Sequence, residues 1–497
     1  MRKLIMALDQ GTTSSRCILF NENAKMIESE QIELTQIYPQ PGWVEHDPIE
    51  IYESIVKVIN TCLDKIDLTK NIISAIGITN QRETTIVWDK HSGEPVCPAI
   101  VWQCRRTSDK IATLIEEGYA PMIKEKTGLQ PDAYFSASKI EWILENIEGA
   151  SQKAQKGELL FGTVETWLIW KLSGGSVHIS DYTNASRTML FNIHTLQWDS
   201  EICELFHIPM SLLPTPVGNS EIYTLTNCED ILKGIPIAGA MGDQQAALFG
   251  QCCFERGDCK NTYGTGAFLL MNTDDTIIDS KAGLLSTIAS NINGKIQYAL
   301  EGSVFISGAA VQWLRDELLM IEKASDTEKI ALEADDCGSA YIVPAFTGLG
   351  APYWNSNARG MIVGMTRGFD RKQFVRATLE SIAYQTNDVL KAMEEDIKDT
   401  LVELTVDGGA SENQYLMQFQ ADISNIVVKR AKCIESTALG VVYLAGLAVG
   451  VFESKDQLKR FNQTEFAYPP IMNETQRLHK QKGWKKAIDL ALCWNEN

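Results

Sequence analysis

Leu4-Ile5-Met6-Ala7-Leu8 is followed by Asp9-Gln10-Gly11-Thr12-Thr13-Ser14-Ser15 and then by Arg16-Cys17-Ile18-Leu19-Phe20. An apolar run, a polar turn with one glycine and a second run that resumes the strand pattern together predict a β-hairpin. The Asn21-Glu22-Asn23 turn and the stretch Lys25 to Glu30 add a third strand. The chain therefore opens as an antiparallel meander rather than as strand, loop and helix, which limits the phosphate-binding folds open to it. Glycine permits a tight bend that aims several N–H groups at one point, and the hydroxyls of Thr12, Thr13 and Ser14 add donors, so the turn suits a phosphate. Asp9, directly before it, suits Mg²⁺ at the same phosphates, held largely through water. Taken alone, the segment also reads as an ordinary hairpin turn.

Further along, Asp47-Pro48-Ile49-Glu50 offers an N-cap, a proline at the first helical position and a capping-box glutamate. Ile51, Ile55, Ile59 and Leu63 follow at helical spacing, which predicts a helix of about four turns. Ile72 to Thr79 and Thr84 to Asp89 read as strands, with Asn80-Gln81-Arg82-Glu83 at the strand end between them. Pro236 to Met241 reads as a buried strand that delivers Gly242-Asp243-Gln244-Gln245 to its carboxyl end, where α/β folds place ligands. Asp243 is the candidate catalytic base, because phosphoryl transfer to an alcohol needs a carboxylate that accepts the hydroxyl proton. Its bland reading is a helix N-cap.

Near residue 250 the opening pattern recurs. Gly257 to Thr262 leads into Tyr263-Gly264-Thr265-Gly266, and Ala267 to Met271 returns as strand. Two hairpins half a chain apart predict two related α/β lobes, 1–250 and 251–497, joined by a short hinge and clamping a nucleotide in a cleft. Leu404 to Asp407 is a strand that ends at Gly408-Gly409 and enters a helix near Asn413, a surface against which a flat adenine could lie. Ala438 to Phe452 is apolar throughout but shorter than the about 20 residues that span a bilayer, so a buried helix is expected, with Gly446 and Gly450 in close packing.

Composition excludes other classes. With 44% apolar and 22% charged residues in 497, the chain is globular. A net charge of −19 gives no electropositive footprint for nucleic acid or an anionic membrane. An anionic ligand therefore needs a local cradle of amides and a metal. The apolar run after Met1 stops at Asp9, too early for a signal peptide, so a cytoplasmic location is expected, with the 12 cysteines as free thiols. No C-x-x-C pair, P-loop, H-R-D, D-F-G, G-x-G-x-x-G, G-x-S-x-G or H-E-x-x-H motif occurs.

The set Asp9 to Arg16, Gly77-Ile-Thr-Asn-Gln-Arg-Glu-Thr-Thr85, Trp102-Gln103, Gly242-Asp-Gln-Gln-Ala246, Tyr263-Gly-Thr-Gly266 and Pro344 to Tyr353 resembles the FGGY family of carbohydrate kinases, over nearly the whole chain. The first hairpin and the Asp-Gly-Gly element are shared by the wider actin-like ATPase superfamily. Asn80 to Thr84 and Gly242 to Ala246 are much more specific to the polyol branch. The resemblance implies two actin-like, ribonuclease H-like lobes with a nucleotide cleft between them, closing to exclude water. It also implies ATP-dependent phosphorylation of glycerol to sn-glycerol 3-phosphate in glycerol catabolism, with ATP as co-substrate, Mg²⁺ at Asp9 and Asp243, and a homodimer or homotetramer. By the same resemblance Thr12, Thr13, Ser14 and Arg16 meet the nucleotide phosphates and Thr265 the terminal one. Gly308, Gln312, Gly409 and Asn413 hold the rest of the nucleotide. Arg82, Glu83, Tyr134, Asp243 and Gln244 contact glycerol, with Trp102 and Phe268 along its carbon edge.

The residue types suit three hydroxyls, since Arg82 brings forked donors and the two acids bring acceptors. Another polyol or ketose as acceptor, and a non-catalytic ATPase switch, are the alternatives. Enterobacterial members of this family bind fructose 1,6-bisphosphate through an arginine-bearing loop, whereas Thr226 to Gly234 here has no arginine and two acids, so insensitivity is expected. Some Gram-positive members are activated by histidine phosphorylation, but residues 208–240 contain no histidine.

Overall fold

The structure, a computed structural model, describes residues 1–355, 357–433 and 435–494. Its chain divides into two compact units, the first comprising Met1–Cys252, Ser286–Tyr298 and Ser436–Phe461 and the second Cys253–Leu285, Ala299–Glu435 and Asn462–Asn497. The expected halves, 1–250 and 251–497, differ from these units in the two later segments counted with the first unit.

The first unit is built on six strands: β1 (Arg2–Gln10), β2 (Ser14–Asn21), β3 (Met26–Glu33), β4 (Asn71–Asn80), β5 (Ser220–Leu225) and β6 (Pro236–Gly242). They lie in the order β5-β6-β4-β1-β2-β3. The meander β1-β2-β3 is antiparallel, while β4 runs parallel to β1 and β6 parallel to β4. Register sets Asp9 beside Thr79 and Thr79 beside Met241, so the carboxyl ends of three parallel strands lie in one row. The helix after Asp47, α1 (Pro48–Asp64), packs Ile51, Ile55 and Ile59 into the core under this sheet with Leu4, Met6 and Leu8. Asp47 caps it through the Ile49 N–H at 2.8 Å. The capping box does not form: Glu50 instead accepts from the N–H and hydroxyl of Thr35, at 3.0 and 2.9 Å, a more distant partner that outcompetes the local one.

The second unit repeats the arrangement with β7 (Cys259–Tyr263), β8 (Ala267–Asp274), the end of β10 (Lys295–Val304) from Ala299 on, β11 (Glu403–Asp407), β12 (Val427–Ala431) and β13 (Thr464–Tyr468), while β9 (Leu285–Ile292) and the start of β10 fall almost wholly in the segment Ser286–Tyr298 counted with the first unit. The sheet order is β9-β10-β8-β7-β11-β12-β13. Again a hairpin, β7-β8, is followed by two parallel additions, β11 and β12, and closed by an antiparallel edge strand. Its core gathers Leu269, Leu300, Val406, Trp484 and, from α5 (Arg371–Ile397), Ile382.

The apolar stretch near residue 440 forms α7 (Ser436–Ala448), buried on nearly every side, as a helix without a polar face must be. It belongs to the first unit because it packs on β1, β4 and β6 and on the helix α3 (Asp243–Gly250). The approach is close enough to require glycine: a Cβ on Gly440 would lie 2.0 Å from the Ala246 carbonyl oxygen, and one on Gly77 would lie 2.4 Å from that of Val441. Gly446 packs against Phe452 in the same way, while Gly450 sits past the helix end at φ 68° in open space. All 12 cysteines are free thiols.

Candidate active site

In the first unit, the turn between β1 and β2 is pinned by its acceptors. The Gly11 carbonyl accepts from the side chains of Gln10 and Gln81 at 2.8 and 3.2 Å, and the Thr12 carbonyl from Gln36 at 2.9 Å. The Thr13 carbonyl accepts from the Leu34 N–H at 2.9 Å. Among the described residues, the N–H groups of Thr12 and Thr13 donate to no protein acceptor. Behind it, buried Gln81 contacts Gln10 at 3.0 Å and His46 at 3.4 Å, and His46 contacts Gln36 at 3.1 Å. Burial pushes the His46 imidazole down to about 4, so it is neutral in this network at physiological pH. Asp9 faces Arg16 across the hairpin in register.

Beyond the end of β4, Arg82 and Glu83 turn sharply, with the Thr84 N–H bonded to the Arg82 carbonyl at 2.7 Å and Glu83 at φ 61°, a conformation non-glycine residues rarely hold. Two contacts fix it there: the Ser136 hydroxyl on the Glu83 carbonyl at 3.0 Å and Arg187 Nε on Glu83 Oε1 at 2.8 Å. The Arg82 guanidinium is buried yet distributes its donors widely. It reaches Gln245 Oε1 at 3.1 Å, the Tyr134 hydroxyl at 3.4 Å and Asp243 Oδ1 at 3.4 Å. Asp243 is the first residue of α3, and its carboxylate retains 31% exposure, so it faces both Arg82 and solvent. It also accepts from the Gln244 N–H at 2.7 Å. Trp102 joins the two halves of this unit's site: its Nε1 donates to Thr12 Oγ1 at 2.9 Å, and its ring meets Tyr134 edge-on at 5.5 Å. Below Tyr134, the fully buried Lys139 of α2 (Ser136–Asn146) donates to the carbonyls of Tyr134 and Phe135, and burial pushes its ammonium down to about 7.

The expected residues Asp9, Thr12, Thr13, Ser14, Arg16, Arg82, Glu83, Trp102, Tyr134, Asp243 and Gln244 all fall in this unit. The others, Thr265, Phe268, Gly308, Gln312, Gly409 and Asn413, fall in the second. There the Gly264-Thr265-Gly266 turn is tied to the start of α4 (Gly308–Asp316). The Thr265 carbonyl accepts from the N–H groups of Ser307 and Ala309 at 2.9 and 3.0 Å, and the Gly264 carbonyl from that of Gly308 at 2.9 Å. Gly408, at φ 83°, lies where a Cβ would be 2.5 Å from the Tyr263 carbonyl oxygen, which brings the diglycine to the same end of the sheet. Thr265 and Gln312 are exposed, and Gly409 faces open space. The Asn413 side chain caps α6 (Gln414–Ser424) through the Leu416 N–H at 2.9 Å and contacts Thr327 at 3.1 Å.

Arg187, Gln245, Gln81 and His46 carry this geometry without having been singled out from the sequence. Gln245 and Gln81 had a signal, their places in the Gly242 to Ala246 and Asn80 to Thr84 motifs.

Two family models match in tandem: the FGGY family of carbohydrate kinases, N-terminal domain, over residues 4–250, and its C-terminal domain over residues 259–449. The chain belongs to the FGGY family of carbohydrate kinases. Within that family, the chain is 58% identical over 498 residues to a glycerol kinase of Lachnoclostridium phytofermentans, covering 100% of both. Among solved structures it is similar to Plasmodium falciparum glycerol kinase with ADP, with a TM-score of 0.93, 38% identity and coverage of 99% of this chain and 98% of that one. A gluconate kinase from Lactobacillus acidophilus, at a TM-score of 0.89 and 24% identity over 99% of each chain, shares the fold. The two family models meet between residues 250 and 259, whereas the first compact unit also takes in Ser286–Tyr298 and Ser436–Phe461.

Proposed function

We infer that this chain catalyses ATP-dependent phosphorylation of glycerol to sn-glycerol 3-phosphate. The observation that carries the reading is the convergence of Arg82, Tyr134 and Asp243 on contacts of 3.4 Å, with Trp102 linking Tyr134 to Thr12 of the β1–β2 turn. It is supported by 58% identity to a glycerol kinase along the full length. A triol needs several directional partners, and a buried guanidinium flanked by two carboxylates and a phenol supplies both donors and acceptors at that scale. Arg82 and Glu83 orient the hydroxyls, Gln244 adds an amide, and Trp102 lies along the carbon edge. Asp243 accepts the proton of the attacking hydroxyl, with its exposed face toward the substrate. Phe268 belongs to the same carbon edge.

On the nucleotide side, the N–H groups of Thr12 and Thr13, with Ser14 and Arg16, hold phosphate oxygens, and Thr265 takes the terminal phosphate. Gly308, Gln312, Gly409 and Asn413 support the remainder of the nucleotide. Among the described residues no cluster of three or more His, Cys, Asp or Glu side chains could hold a bare ion. Mg²⁺ binds through one or two carboxylates, water and the phosphates themselves. Asp9 and Asp243 are the residues that would hold it, and when bound it neutralises charge on the phosphoryl oxygens.

The test is a coupled ADP-release assay over a panel of polyols and ketoses. Glycerol should rank first by kcat/KM, because buried groups left unpaired by an analogue penalise it. A ketose or sugar acid ranking above glycerol would move the assignment to another acceptor. Equal ATP turnover with and without acceptor would make the chain a switching ATPase.

A further inference from the structure

The segment Asp181 to Arg187 contributes no residue to the six-stranded sheet, yet it holds that sheet's functional ends at three places. The Gly242 N–H, one residue before Asp243, donates to Thr183 Oγ1 at 3.0 Å. Asn184 and Asn80, the latter two residues before Arg82, exchange a reciprocal pair of amide hydrogen bonds at 3.0 Å each. Arg187 Nε donates to Glu83 at 2.8 Å. Thr183, Asn184 and Arg187 are all buried, on and just after a single helical turn, Tyr182–Ala185.

We propose that Thr183 is a positioning residue for Asp243, holding the strand-to-helix junction from which that carboxylate projects. A hydroxyl has one proton and two lone pairs, and here each has an assigned direction. The proton goes to Asp181, so a lone pair is left facing the Gly242 N–H. Asp181 is itself immobilised by the N–H groups of Thr183 and Asn184 at 2.8 and 3.3 Å and by the side chains of Asn184 and Asn219 at 2.7 and 2.9 Å. The chain Asp181, Thr183, Gly242 therefore fixes the peptide immediately before Asp243 against an element outside the sheet. Only glycine fits at 242 beside Arg82, since a Cβ there would stand 2.9 Å from the Arg82 side chain. The sheet fixes where β6 ends, and Thr183 fixes how the chain leaves it. Displacement of a reacting group by about 1 Å costs on the order of a hundredfold in rate, whereas loss of one buried hydrogen bond changes folding stability only modestly.

The inference rests on the glycerol-phosphorylating reading. Its test compares wild type, Thr183→Val and Thr183→Ser by steady-state kinetics and thermal unfolding. Thr183→Val keeps the shape and removes the hydroxyl; kcat should fall at least about tenfold while KM for glycerol and for ATP stays within about threefold. Thr183→Ser should restore kcat to within about twofold of wild type. If Thr183→Val does not accumulate as folded protein, Thr183→Ala carries the same expectation. A valine or alanine variant with near wild-type kcat overturns the positioning role, as does a change confined to KM. Absence of glycerol-dependent turnover in the wild type overturns the functional reading instead.

Discussion

Lys139→Met tests whether a lysine under the substrate site is held half-neutral at physiological pH. The ammonium is fully buried, and burial lowers it from its ordinary 10.5 to about 7 against the opposing pull of Glu83 and Asp132. The carbonyls of Tyr134 and Phe135 accept from it, so it is hydrogen-bonded in either protonation state. Because the folded value lies below the unfolded one, the unfolded chain binds more protons between about pH 7 and 10.5. Stability from this group therefore rises with pH across that window and is lost as pH falls to 7. At 1.36 kcal/mol per unit, the gain between pH 7 and pH 9.5 is about 3 kcal/mol. Lys139→Met has no such gain, while every other titrating group is common to both proteins. The difference in Tm, variant minus wild type, should fall by about 6–12 °C over that range, at about 2–4 °C per kcal/mol for domains of this size. Differential scanning fluorimetry at half-unit pH steps reads it directly. A difference that stays flat from pH 7 to 9.5 would show that the ammonium survives burial and would refute the argument.

Two further outcomes follow from the same geometry. Asp243→Asn keeps size and hydrogen bonding but cannot accept a proton, so kcat should fall at least about a hundredfold with both substrates still bound; stopped assays and calorimetric titrations of glycerol separate the two, and near-full turnover would remove Asp243 from the base role. Gly440→Ala puts a methyl 2.0 Å from the Ala246 carbonyl in the middle of α3, so the helices must part. A loss of about 2 kcal/mol or more is expected by urea unfolding, with a lower kcat because α3 begins at Asp243, and an unchanged Tm would contradict the close packing.

The fold was legible wherever a local pattern had one physical outcome. The two Gly/Thr hairpins and the strand into Asp243 lie where periodicity and turn chemistry put them, and the apolar stretch near residue 440 is a buried helix, although it ends at Ala448 rather than at Phe452. The capping box at Glu50 was not, because a half-buried glutamate has more than one satisfactory partner and only tertiary structure brings Thr35 to it. The assignment of α7 to the first unit was equally hidden, since an all-round apolar helix carries no sign of which sheet it will cover. At the site, the residues on the strand ends stood out by type and spacing, whereas their supports did not. Arg187 lies 104 residues from Glu83, and His46 lies 35 residues from Gln81. Nothing in a buried arginine's neighbours along the chain indicates the carboxylate it will meet.

The charge balance of the acceptor site gives a test that separates stability from recognition. In a chain with a net charge of −19, two buried guanidiniums, Arg82 and Arg187, stand against the carboxylates of Glu83 and Asp243. Buried charges persist only when paired, and removing one partner is costlier than removing both. Glu83→Gln leaves Arg187 facing an amide in a fully buried position, so stability should drop by about 3 kcal/mol. Glu83→Gln combined with Arg187→Gln also removes the cation that has lost this carboxylate and should recover more than half of that loss. Glycerol KM, however, should be raised in both, because an amide in place of Glu83 no longer offers the triol a charged acceptor whichever partner stands behind it. Additive stability losses in the cycle would mean that Arg187 does not depend on Glu83 for its burial. Recovery of glycerol KM in the double variant would mean that Glu83 serves the fold rather than the ligand.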